Sequence, residues 1–232
     1  MISKAKISLI RSLEKKKYRL SEGLFVAEGP KVIGELSKIC SPVELYEGED
    51  ADKASFLQHP QGMLALFPID IHKHLKPQSG LKLLLDGVQD PGNFGTIIRI
   101  ADWFGIDHVY CSAECADAFS PKVVQATMGS LARVKTEYCD PIALLDTLPE
   151  GCPVYGTLLD GDSIYGNELT ENGIIVMGNE GNGISEAVRQ RVNRRLLIPH
   201  FPADRPSAES LNVAVATAIV CSEFRRRMPN WP

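Results

Sequence analysis

GIIVMGNEGNGIS, residues 173–185, decides how the chain is read: an apolar run, a glycine-rich turn, then the charged and helix-patterned SEAVRQRV. Glycine tolerates positive φ and lets a ligand approach the backbone closely, so a glycine turn between a strand and a helix points to a binding loop. A dinucleotide fingerprint reads G-x-G-x-x-G and a phosphate loop ends in G-K-[ST]. Here the order is G-x-x-G-x-G with no lysine, and neither pattern fits.

Outward from this turn, short apolar segments alternate with helical ones. LKLLLD precedes TIIRIADWF, HVYCSA precedes PKVVQATMGSLA, and RVKTEY precedes PIALLDTL; PVYGTLL leads to GIIVMG, and RRLLIP to SLNVAVATAIVCSEFRRR. Buried strands alternating with helices predict an α/β domain around a mostly parallel sheet, with ligands beyond the carboxyl ends of its strands. Residues 1–70 read as a smaller α/β unit: a basic amphipathic helix, strands at 24–29, 43–46 and 63–67, and a helix at 30–39. The polar stretch HKHLKPQSG, residues 72–80, separates the two, giving domains 1–76 and 77–232.

Composition is that of a globular protein, 44% hydrophobic and 23% charged, and no apolar run approaches the ~20 residues of a membrane span. The basic N-terminus lacks a secretory apolar core, which predicts a cytoplasmic protein. Six scattered cysteines read as reduced thiols; C-x-x-x-C at Cys111 and Cys115 lacks further ligands at zinc spacing, and no metal is expected. Net charge is −4, yet residues 1–40 carry nine Lys or Arg against four Glu, while residues 41–60 run to −4. That asymmetry suits RNA contact through phosphates or a solvated helix equally well.

Three loops at predicted strand ends carry unexpected polar residues. If Thr96 caps the helix TIIRIADWF, Arg99 sits in its first turn against the macrodipole, between Ile98 and Ile100; the bland account is an arginine reaching out to solvent or pairing with Asp102. Asn93 suits a turn, and Glu180 precedes a helix N-terminus that favours an acid. Ser210 reads as an N-cap, whereas Asn212 heads an otherwise apolar helix.

LLLDGVQDPGNFGTIIRIADWFGI, IIVMGNEGNGIS and SLNVAVATAI resemble, in order and spacing, the three motifs of the SpoU (TrmH) RNA ribose 2'-O-methyltransferases of the SPOUT superfamily, and SPKVVQATMGSLARV is similar to the segment between the first two. KKYRLSEGLFVAEGPKVIGEL resembles their ribosomal-protein-like RNA-binding module. The resemblance implies a trefoil-knotted domain, which pattern reasoning never proposes because knots are nearly absent from folds. It also implies S-adenosylmethionine as cofactor, a homodimer and an RNA substrate, ribosomal RNA before transfer RNA. Asn93, Arg99, Glu180, Ser210 and Asn212 fall on the catalytic and motif polar positions. Gly178, Ile198 and Leu211, with Asn179 and Gly181 of the turn and Thr157 and Leu158 beside it, make the cofactor set. Gln125 stands where an arginine is frequent, and the connection HFPADRPSAE, residues 200–209, is longer than usual. The competing readings are a non-catalytic RNA-binding relative and a nucleotide-dependent oxidoreductase, the latter disfavoured by the glycine order.

Overall fold

A computed structural model describes residues 1–72, 79–202 and 208–228 of the 232-residue chain. The expected basic N-terminal helix is two helices, α1 (Lys4–Ser12) and α2 (Lys16–Glu22), broken by the intervening turn. β1 (Leu24–Glu28), α3 (Pro30–Ser37), β2 (Glu44–Glu47), α4 (Glu49–Ala54) and β3 (Met63–Pro68) follow, with the strands in antiparallel order β1-β3-β2. The period of two divides β1 and β3 cleanly. Val26, Leu64 and Leu66 face Ile10, Leu13, Ala51 and Ala54, while Phe25, Ala27, Ala65 and Phe67 face the opposite way. α4 was not read from the sequence; EDADKA has no apolar stripe beyond two alanines, and its three first-turn acids suit the helix dipole.

The remaining elements are β4 (Leu81–Asp86), α5 (Pro91–Trp103), β5 (His108–Cys111), α6 (Pro121–Thr127), β6 (Lys135–Tyr138), α7 (Pro141–Asp146), β7 (Val154–Ser163), β8 (Gly173–Gly178), α8 (Glu186–Arg189), β9 (Arg194–Leu197) and α9 (Val213–Arg226). Their six strands pair throughout in parallel, in the order β6-β5-β4-β8-β7-β9. The buried runs LLLD and GIIVMG are the adjacent central strands β4 and β8, paired from Leu81↔Gly173 to Asp86↔Gly178. From β4 the order runs one way to β5 and β6 and the other way to the later strands, so the β4/β8 carboxyl end is the switch point where such sheets bind ligands. β7 outlasts its apolar start, running on to Ser163 with a register shift against β9 between Thr157 and Asp162. Gly161 permits it, since a Cβ there would lie 2.7–2.9 Å from the backbone of Arg195 and Leu196.

The expected boundary at 76/77 lies outside the described residues. The two sheets share one apolar core: Phe25 and Phe67 belong to the same buried cluster as Val123, Leu131 and Leu85, and the Phe25 and Phe119 rings are 4.9 Å apart. Arg133 ties the units polarly, donating to Asp102 of α5 and to Glu35 of α3. Arg19, one of the nine basic residues counted in the first forty positions, is 2% exposed.

Candidate functional site

α5 starts earlier than the sequence suggested. Asp90 is its N-cap, accepting from the Asn93 backbone N–H at 2.7 Å, and Pro91 occupies the first helical position, so the helix begins ahead of Thr96. Gly95, read as part of a loop, is helical because α6 crosses there: a Cβ would sit 2.5 Å from Ala126 Cβ and 2.9 Å from the Val123 carbonyl. Arg99 therefore lies well past the first turn, where the dipole no longer acts on it, and that argument for its oddity falls away. Pairing with Asp102 is also absent, because Arg133 holds that carboxylate at 2.7–3.1 Å. Arg99 is exposed, and among the described residues it enters no hydrogen bond or ion pair.

The glycine turn closes on itself. Asn179 and Gly183 exchange both backbone hydrogen bonds at 2.9 Å, and Asn179 Oδ1 accepts from the N–H groups of Gly181 (2.9 Å) and Asn182 (3.0 Å). Asn179 Nδ2 donates to the Gly87 carbonyl at 2.7 Å, and the Asp86 carboxylate accepts from Ser185 N–H at 2.7 Å, so the turn is tied to the end of β4. Glycine is obligatory at 178, since a Cβ would lie 2.2 Å from Gly183 C.

Glu180, at the tip, does not serve the helix that follows it in sequence; α8 begins after Ser185. It crosses to the start of α5 and accepts from Gln89 N–H (3.4 Å), Asp90 N–H (3.3 Å) and Asn93 Nδ2 (3.1 Å). Asn93 Oδ1 in turn accepts from Asn212 Nδ2 at 2.9 Å. Asn212 is the N-cap of α9, its Oδ1 accepting from Ala214 and Val215 N–H at 2.9 and 3.2 Å. The cap assigned to Ser210 thus belongs to Asn212, and that is the structural reason for a carboxamide at the head of an apolar helix. Ser210 is left exposed on a cavity rim. In the chain Asn212, Asn93, Glu180 each carboxamide nitrogen donates and each carboxamide oxygen accepts, which fixes both amide orientations.

Beside this chain a cavity of about 200 Å³ opens at the carboxyl ends of β8 and β9 and the middle of β7. Thr157, Leu158, Gly178, Asn179, Ile198 and Leu211 line it as expected, together with Glu180 and Ser210; Gly181 does not. Met177, Leu196, Val213 and Ala216 also form its wall, and the sequence concealed them because they sit inside apolar runs that read as core. Among the described residues no lysine or arginine lines it, and its mostly apolar wall suits an uncharged ring and an aliphatic or thioether chain. The chain of hydrogen bonds joins the starts of α5 and α9, and Arg225 joins their ends, its Nε and Nη2 donating to the Phe104 and Gly105 carbonyls at 2.6 and 3.0 Å. The two helices therefore run side by side in the same direction.

All six cysteines are free, and burial raises the Cys111, Cys115 and Cys221 thiols above their ordinary range. Among the described residues no group of three His, Cys, Asp or Glu side chains is placed to hold a metal ion, and no helix is long and apolar enough to cross a membrane.

Residues 80–222 match the model of the SpoU rRNA Methylase family, and the chain belongs to that family. It is 39% identical over 146 residues to the 23S rRNA (guanosine(2553)-2'-O)-methyltransferase RlmP of Bacillus subtilis, covering 62% of this chain and 57% of that one. Against the 23S rRNA (guanosine-2'-O-)-methyltransferase RlmB of Neisseria meningitidis identity is 33% over 152 residues, 63% of this chain and 58% of the relative. The match thus spans less than three fifths of either relative's length. Among solved structures, a TrmH-family protein from Porphyromonas gingivalis is 44% identical with a TM-score of 0.88, covering 98% of this chain and 100% of that one. An AdoMet-bound rRNA methyltransferase from Sinorhizobium meliloti is 26% identical with a TM-score of 0.82, covering 98% and 97%.

Proposed function

We propose that this SpoU-family chain transfers a methyl group from S-adenosylmethionine to a ribose 2'-hydroxyl of RNA, ribosomal rather than transfer RNA, in the cytoplasm. The observation that carries the reading is the exposed Arg99, which pairs with no described residue, on a helix whose start is bonded both to the glycine turn and to the head of α9, beside a cavity that no described lysine or arginine lines. The names of the rRNA relatives and the AdoMet-bound neighbour support substrate class and cofactor. In this reading residues 1–76 bind RNA and 77–232 carry the transferase, with the chain from β7 to α9 threaded as a trefoil knot. The place of β8 between β4 and β7 and the return of α9 beside α5 support the threading. A homodimer is supported by exposed apolar side chains on the α5/α9 pair, Trp103 at the end of α5 and Val215 near the start of α9.

S-adenosylmethionine, held by the apolar wall of the cavity and the glycine turn, supplies a methyl group already activated for displacement. The protein's part is to place the 2'-oxygen in line and to stabilise the charge it gains as its proton leaves. Arg99 performs the second task. A guanidinium keeps its proton at any working pH, so it acts as a cation beside the developing alkoxide and not as a base. Glu180 does not reach Arg99 through a hydrogen bond; it holds the start of α5, and with it the helix that presents Arg99. Asn93 and Asn212 pass that restraint to α9, and Ser210 faces the cavity.

The test is transfer of labelled methyl from S-adenosylmethionine to total RNA and to ribosomal subunits from a strain lacking the gene, followed by digestion to nucleosides. A 2'-O-methylated nucleoside in rRNA is the expected product. Label on a base would refute the ribose chemistry. No transfer to either substrate would leave the non-catalytic RNA-binding relative, which the presence of all five motif polar residues disfavours.

A further inference from the structure

Asp102 stands three residues beyond Arg99 on α5, at the spacing that makes side chains on a helix neighbours. It is the one carboxylate within α5, and an arginine so placed is ordinarily drawn to it. Among the described residues the pairing is absent, and a third residue is the reason. Arg133 donates Nε to both Asp102 oxygens, at 2.9 and 3.1 Å, and Nη2 to one of them at 2.7 Å. Both oxygens are thus taken by one planar fork, the strongest geometry an arginine offers a carboxylate.

Arg133 reaches this place through a backbone that local preference does not favour. α6 ends in Met128 at φ +52° and Gly129 at φ +94°, two left-handed residues in succession, and Met128 is the one non-glycine residue with positive φ among the described residues. A residue with a Cβ avoids that region, so the reversal is held by its surroundings and not by its sequence. It leads into a single tight turn, Ser130–Ala132, and delivers Arg133 beside α5. The N-terminal unit fixes the same point from α3. A Cβ at Gly129 would lie 2.6 Å from Glu35 Cβ, and the Glu35 carboxylate accepts from Arg133 Nη1.

Joining the two units does not require this bridge. They already share an apolar core, Arg133 is half exposed, and ion pairs open to solvent contribute little stability. The consequence for Arg99 is different in kind. A guanidinium that is to meet a developing alkoxide has to be free of other carboxylates, and the one on its own helix is engaged elsewhere.

We propose that Arg133 is a positioning residue for methyl transfer: by holding Asp102 it keeps that carboxylate from capturing Arg99, and so leaves the Arg99 cation for the 2'-oxygen. The proposal rests on the methyltransferase reading for the task of Arg99.

The experiment uses the full chain. Turnover on rRNA and S-adenosylmethionine affinity by calorimetry are measured beside the rate at which phenylglyoxal labels Arg99, read by mass spectrometry of the peptide that carries it. Arg133→Met should lower kcat about two- to sixfold, because an exposed ion pair holds its partners most but not all of the time, with KM for RNA and cofactor affinity within about twofold. Labelling of Arg99 should slow by a similar factor. Arg133→Lys, which keeps the charge but loses the fork, should fall between the two. The decisive variant combines Arg133→Met with Asp102→Asn. No carboxylate is then left on α5 to capture Arg99, so kcat and labelling should return nearly to the wild-type values.

A double variant as slow as Arg133→Met would show that the bridge matters for structure alone and would overturn the proposal. Wild-type kcat and labelling in Arg133→Met would overturn it as well. If the wild type transfers no methyl group to RNA or ribosomal subunits while labelling follows the expected pattern, the methyltransferase reading fails and the shielding of Arg99 from Asp102 stands.

Discussion

At the amino end of the six-stranded sheet charges meet charges. Lys82 of β4 is bonded to Asp107, and Lys135 of β6 donates to Glu137 at 2.9 Å, beside the buried His108 of β5. Around the glycine turn and the starts of α5 and α9, at the carboxyl end, they do not. Glu180 is met by neutral N–H groups, two asparagines join the loops through carboxamides, and Arg99 stands alone. Ion pairs at one end hold a sheet together but leave nothing over for a ligand. Neutral donors at the other end order the loops while leaving the charge of Arg99 available, which is what a site that stabilises a developing anion requires.

The strongest way to break this comparison is Arg99→Ala. Turnover should fall about 10²–10³-fold, some 3–4 kcal/mol of transition-state stabilisation, while the melting temperature stays at the wild-type value. Normal turnover on a confirmed substrate would show that the unpaired charge has no catalytic use. Next is Gly178→Ala, where the added Cβ meets backbone 2.2–2.3 Å away at Gly183 and Ile184. Loss of S-adenosylmethionine binding and about 1–3 kcal/mol of destabilisation in urea are expected; intact cofactor affinity would mean that the turn does not shape the pocket. Asn93→Ala removes two side-chain hydrogen bonds, one to a carboxylate, and should cost about tenfold in kcat, with less effect on urea stability than Gly178→Ala.

The smallest effect belongs to the amino end. Burial lowers the pKa of His108 from its ordinary 6.5, opposed by Glu137 and reinforced by Lys135 and Lys82, and burial lowers His72 likewise. A histidine kept neutral by folding contributes full stability above about pH 6.5. Below that the unfolded chain takes up a proton that the folded chain refuses, so stability drains as the pH falls toward the folded value. The urea midpoint should therefore drop between about pH 7.5 and 5, and His108→Gln should flatten the curve. An unaltered pH profile in that variant would remove His108 from the account.

Much of this was legible in the sequence because parallel strands buried on both faces are near-continuous apolar runs, as in LKLLLD and GIIVMG. Arg99, Glu180 and Asn212 stood out as polar residues in apolar or glycine-rich company. What local pattern could not supply was partners far along the chain. Glu180 was assigned to the helix that follows it, whereas its helix in space starts some 90 residues earlier. Gly92 and Gly95 read as loop and hid the true start of α5, since nothing local announces that α6 crosses at Gly95. Arg19 counted as surface because burial of an arginine depends on a loop nearly a hundred positions away. Met177, Leu196 and Val213 passed for core because a wall of a cavity and a wall of a core have the same composition.

The side-by-side pair α5 and α9 sets an order in time. A nascent chain that has emerged as far as Leu197 already carries Arg99, Asn93 and Glu180, yet it lacks Leu211, Val213 and Ala216, which wall the cavity, and Asn212, which closes the last hydrogen bond. Docking of α9 therefore completes the cavity wall and the hydrogen bond from Asn212 to Asn93 together.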